Sequence, residues 1–166
     1  MHKYLIILAG LLISSVKAKS IRFCKNSSSC KTLNLAKFKT LKERNLYNIY
    51  RKNYYTYQGV DLLDVLVKAY GKDWQSHKII MFKSKDGSIQ SSSIEDILHH
   101  SRRKNKVGFL SIKEKGKKGF SSFVRAGKNI NPAPAYLVWT NFSETSRNHY
   151  ASPLKWPYQL IEINLR

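Results

Sequence analysis

The chain has 166 residues, with 30 Lys or Arg against 10 Asp or Glu, and a formal charge of +20. A length of this order suits one domain with one continuous core, and neither a linker-like composition break nor an internal repeat divides it. The charge excess favours anionic partners through long-range attraction, against the plainer reading of a surface filled with solvated lysines.

The first residues read as an export signal: His2 and Lys3 give a positive start, residues 4–13 an apolar run, and Val16-Lys-Ala18 a small-residue cleavage site. The run is too short to span a bilayer comfortably, so cleavage after Ala18 is expected rather than an anchor, and the protein is expected to be periplasmic or secreted, with no membrane span in the mature chain. No cysteine follows the run directly, which argues against a lipid-modified start. The expected organisation is a signal at 1–18, an N-terminal segment at 19–31 and a single domain at 32–166. Cys24 and Cys30 are the only cysteines, and a polar loop separates them. In an oxidising compartment such a pair most simply forms a disulfide, closing a small loop outside the core. A metal clip would need further ligands, and no Cys or His lies nearby. The spacing also lacks the pattern for covalent haem.

Residues 47–57 are rich in tyrosines and bases, among them Tyr50, Arg51 and Tyr55. Ring faces beside cations can bind a planar or phosphorylated ligand, while the same alternation also describes an exposed strand or hairpin. Asp61 is placed to cap a helix over Leu62–Tyr70 that Gly71 ends, with Leu62, Leu63, Leu66, Val67 and Tyr70 as its apolar stripe. Residues 79–82 form a continuous apolar run typical of a strand covered on both faces, followed by an Asp86-Gly87 turn and a short return strand at 88–90. Ser92 and Ser93, with Glu95 and Asp96, resemble a capping box opening a second helix through Ile94, Ile97 and Leu98. Its basic end, Arg102, Arg103, Lys104 and Lys106, suits a helix C-terminus. His99 and His100 are adjacent on that helix and point to different sides, a poor arrangement for one metal.

Two strands are expected at 107–112 and 120–124, joined by a charged loop; residues 125–134 read as a loop, and 135–140 as a buried strand. The polar loop 141–153 carries Arg147, His149 and Tyr150. A histidine there could serve as acid or base near neutral pH, but no partner carboxylate or nucleophile is identifiable. In the final strand Ile161, Ile163 and Leu165 alternate with Glu162 and Asn164, as in a half-buried strand. Strands mixed with short, irregularly placed helices indicate an α+β single domain with a mixed β-sheet. No phosphate-binding Gly-rich loop or hydrolase motif occurs. Asn26-Ser-Ser28 and Asn141-Phe-Ser143 match the short glycosylation acceptor pattern, relevant only to a eukaryotic secretory route.

Tyr57-Gln-Gly-Val-Asp-Leu-Leu-Asp-Val-Leu66 entering a helix, then Lys78-Ile-Ile-Met-Phe-Lys-Ser-Lys-Asp-Gly87 as strand and turn, resemble the molybdopterin-binding domain of sulfite-oxidase-type oxidoreductases. Residues 32–41 resemble that family's opening strand and short helix, and residues 134–139 and 154–165 its last two strands. In the family a cysteine thiolate from the first third binds molybdenum, a soft donor suited to a redox centre. Backbone and basic side chains hold the pterin phosphate. Here residues 42–56 contain no cysteine, and Cys24 and Cys30 precede the first matched strand. No catalytic residue carries over, and molybdopterin is implied by the resemblance alone. The resulting expectation is an exported non-catalytic binding or accessory module whose partner is anionic or a periplasmic redox protein. Its alternatives are an active molybdopterin-dependent oxidoreductase without a protein thiolate, and a basic secreted polyanion-binding protein.

Overall fold

A computed structural model describes residues 19–104, 108–140, 142–143 and 154–166. The expected signal at 1–18 and the loop residues Arg147, His149 and Tyr150 lie outside the described residues. The fold is α+β, a small domain of mixed β-sheets with few short helices. In chain order the strands are β1 (Ser20–Lys25), β2 (Ser29–Asn34), β3 (Lys42–Asn48) and β4 (Asn53–Asp61), then helix α1 (Leu62–Tyr70). There follow β5 (Ile79–Ser84), β6 (Ile89–Ser93), helix α2 (Ile94–Lys104), β7 (Gly108–Glu114), β8 (Phe123–Arg125), β9 (Lys128–Ile130), β10 (Tyr136–Trp139) and β11 (Leu160–Leu165). One sheet has the order β2-β1-β11-β5-β6, a second the order β10-β7-β4-β3, and β8 with β9 forms a separate hairpin.

The N-terminal segment enters the core. Strand β1 runs parallel to β11 in the middle of the five-stranded sheet, with Ile21 and Phe23 buried. Cys24 faces Cys30 across the antiparallel β1–β2 pair and the two are joined by a disulfide. Cys24 is only 1% exposed while Cys30 and the loop between them are exposed, so the bridge is a cross-strand staple whose closed loop lies outside the core, as expected.

Helix α1 has the expected bounds, and Gly71, at φ 77°, ends it in a conformation that favours glycine, with its amide donating to the Val67 carbonyl. The buried face is Leu62, Val65, Leu66, Ala69 and Tyr70, whereas Val67 is 47% exposed and Leu63 only partly covered. The Tyr70 hydroxyl donates to the Ile163 carbonyl at 2.7 Å, which locks the helix onto β11. Asp61 precedes the helix but makes no side-chain cap. Its buried carboxylate is instead taken by Lys42 and by Arg44 at 3.1 Å, both from β3, since two cations outcompete one neutral amide for it.

Strand β5 is covered on one face only: Ile80, Phe82 and Ser84 are buried, while Ile79 is 44% exposed. The turn 86–87 and return strand β6 follow as expected. Ser93 Oγ accepts from the Asp96 amide at 2.9 Å, which caps the start of α2, and donates to the Asp96 carboxylate at 2.6 Å. The expected strand at 120–124 shortens to β8, and the expected loop at 125–134 contains β9. In β11 a bulge between Leu160 and Glu162 turns Leu160 inward in place of Ile161. Glu162 and Asn164 are buried too, because β11 lies between β1 and β5; Arg22 Nε donates to Glu162 at 2.7 Å, and Asn164 Nδ2 donates to Ser27 Oγ at 2.7 Å.

Candidate functional site

The turn between β3 and β4 is built on Asn48. This fully buried amide accepts from the Tyr50 and Arg51 backbone amides at 3.0 and 3.1 Å and donates to the Tyr57 hydroxyl at 2.7 Å. An Asx turn of this kind suits asparagine because its side chain imitates a backbone turn. It sends Tyr50 one way and Arg51 another.

Tyr50 stacks on Phe123 of β8, with ring centroids 5.4 Å apart and planes 18° from parallel, and meets Tyr158 edge-on at 6.2 Å. The Arg125 guanidinium lies 4.5 Å from the Tyr50 ring centroid and 5.5 Å from that of Tyr158, and it donates to the Tyr158 hydroxyl at 3.3 Å. Among the described residues no carboxylate pairs with Arg125. Rings hold this cation in place, an arrangement in which a planar donor fork can meet an anion.

Arg51 has a different fate. It pairs with Glu114 and lies over the Tyr55 ring at 3.4 Å, with only 13% of its side chain exposed. Tyr55 is thereby covered by Arg51. Of the three candidates from this interval, Tyr50 belongs to a half-buried aromatic cluster with Phe123, Arg125 and Tyr158, while Arg51 and Tyr55 are engaged with each other and with Glu114. The remaining candidates, Arg147, His149 and Tyr150, lie outside the described residues.

Arg125, Phe123 and Tyr158 were missed because the first two stand on a three-residue strand and the third in the irregular approach to β11. A signal for the hairpin was available: Ala126-Gly127, both at positive φ, separate Phe123-Val-Arg from Lys-Asn-Ile, the spacing of a two-residue hairpin turn. Nothing local announces that Tyr50 would reach it.

Inward from the cluster, Tyr136 lies 6.4 Å from Phe123 and 6.3 Å from Tyr57 between ring centroids. Burial raises the Tyr136 hydroxyl well above its usual range, helped by Tyr57 and Tyr50 nearby, and burial likewise raises Tyr57 against the hydrogen bond from Asn48. Both phenols therefore stay protonated near neutral pH. The Tyr136 hydroxyl makes no hydrogen bond of ordinary geometry. The cluster offers ring faces and one guanidinium.

The thiolate-held molybdenum centre of the resembled family does not fit these residues. Both cysteines are consumed by the disulfide, and the chain has no others. His77, Glu95 and His99 line one cavity beside α2, but among the described residues no three His, Cys, Asp or Glu side chains come together to hold a metal. Set against known proteins, the chain matches no family model and no curated protein.

Proposed function

We propose that this chain is an exported, non-catalytic binding or accessory module on a molybdopterin-domain-like scaffold, and that its partner is anionic, such as an acidic face of a redox protein. The observation that carries the reading is the Cys24–Cys30 disulfide, which takes up both cysteines and leaves no thiol to anchor a metal. A cross-strand bridge also accords with export to an oxidising compartment. Among the described residues no helix is long and apolar enough to cross a membrane. The deciding experiment is elemental analysis and pterin fluorescence on protein isolated from its own host under mild conditions. The module reading expects neither signal. Stoichiometric molybdenum or tungsten with bound pterin would replace it with an active oxidoreductase.

A second reading, a basic secreted polyanion-binding protein, draws on the formal charge of +20 and on Arg125 held between Tyr50 and Tyr158. Retention on immobilised heparin that falls steeply with salt, and falls further in Arg125→Gln, would favour it.

A further inference from the structure

A cavity of about 490 Å³ lies between β2, the segment that follows it and α1. Its apolar part is Leu33 and Phe38, each partly buried and packed on the core. Around them stand Lys37, Lys39 and Lys68, all exposed, with Asp64 as the one carboxylate.

The walls are held by backbone and side-chain bonds. Asn34 Oδ1 accepts from the Ala36 amide at 3.0 Å and starts a 3-10 turn over Leu35–Lys37. The Phe38 amide donates to the Leu35 carbonyl at 3.3 Å, and the Leu41 amide to the Phe38 carbonyl at 3.2 Å, so Phe38 is fixed from both sides. Lys31 Nζ donates to the Lys68 carbonyl at 3.3 Å and ties β2 to α1. The groove is therefore formed before anything enters it, which lowers the ordering cost of binding.

Its size falls within the roughly 300–1,000 Å³ of small-molecule pockets, with Leu33 and Phe38 as an apolar floor inside an otherwise polar and charged lining. Three lysines against one carboxylate leave a modest positive excess. That excess suits a singly charged head rather than a polyanion, and ammonium groups attract such a head as point charges without demanding a planar fork. From these features we propose that the groove binds a single-chain amphiphilic anion, its tail on Leu33 and Phe38 and its carboxylate head among Lys37, Lys39 and Lys68. The site shares no residue with the Tyr50–Arg125–Tyr158 cluster and does not depend on the function proposed above.

The test is calorimetric titration of the purified protein with dodecanoate, compared with dodecanol and dodecyltrimethylammonium. Saturable one-to-one binding of dodecanoate is expected, with the cationic analogue failing to bind. The combined Lys37→Gln, Lys39→Gln and Lys68→Gln protein should bind at least about tenfold more weakly, equivalent to about 1.4 kcal/mol. Asp64→Asn, which removes the like charge, should tighten binding. If the triple variant lost its cooperative unfolding transition, Lys68→Glu alone would serve, with weakened binding expected. The proposal is overturned if dodecanoate shows no saturable binding, if dodecanol binds as tightly, or if the lysine variants bind like the parent protein.

Discussion

Glu114 is almost wholly buried and still charged. Arg51, Lys117 at 3.2 Å, and the Ser121 amide and hydroxyl, each at 3.1 Å, surround its carboxylate. Burial by itself would raise its pKa, but the Lys117 hydrogen bond, the Arg51 charge and the Ser121 amide together outweigh burial and hold it below the ordinary 4.5. A carboxyl depressed on folding contributes stability that is complete above its unfolded value and is lost as pH falls through its folded value. Glu114→Gln should therefore destabilise the protein at pH 7 by roughly 1–3 kcal/mol, the range for a buried group deprived of its partner. The gap between variant and parent should close as pH falls below 4.5. Urea unfolding midpoints across that range check both statements, and a gap independent of pH would contradict them. The composition of residues 47–57 made Arg51 a binding candidate. Its partner on β7 is remote in sequence, so no local pattern could reveal that its charge is already engaged.

At the scale of elements, helix α1 separates what periodicity decides from what it leaves open. Its existence and its C-terminal end follow from local chemistry: an apolar repeat at helical spacing and a glycine at positive φ. The buried face does not, because Leu63 and Val67 lie on the side of the helix opposite Val65 and Ala69, and both sets are apolar. Contact with β11 through Tyr70 and with the strands beneath selects the latter. Leu66→Ala should accordingly cost roughly 2–5 kcal/mol, as for other buried leucines. Val67→Ala, at a 47% exposed site, should shift stability by no more than about 0.5 kcal/mol. Chemical denaturation of the two variants side by side tests the assignment, which a larger loss at Val67 would reverse. At the start of α2, Ser93→Ala should cost about 0.5–2 kcal/mol by removing the cap to Asp96, visible as a lower thermal midpoint. Where β4 meets β7, Gly59 is required by contact: an added Cβ would lie 2.2 Å from the Leu110 carbonyl oxygen, beside the register shift between Gln58 and Gly59.

For the whole molecule, the disulfide ties an edge strand to an inner strand of the larger sheet, and the loop it closes is short. Chain entropy then limits its contribution to less than the roughly 3 kcal/mol of a 15-residue loop. Paired Cys24→Ser and Cys30→Ser substitutions should lower stability by up to that amount and leave a cooperative transition, measured by urea unfolding without reductant. Two free thiols on protein recovered from its native compartment would remove the bridge from the account altogether. The sequence by itself determined the α+β class, the glycine-ended C-terminus of α1, the Ser93 cap, the turn at Asp86-Gly87 and the pairing of its only two cysteines. Each of these depends on chemistry confined to a few neighbouring residues. Only the tertiary structure decided that β1 joins β11 in parallel from the other end of the chain, that Glu162 and Asn164 are enclosed, that Arg51 is engaged by Glu114 and that Arg125 meets Tyr50 and Tyr158. Those outcomes depend on which strand faces lie against one another, and that is settled by burial summed over both sheets, a quantity to which no single segment gives access.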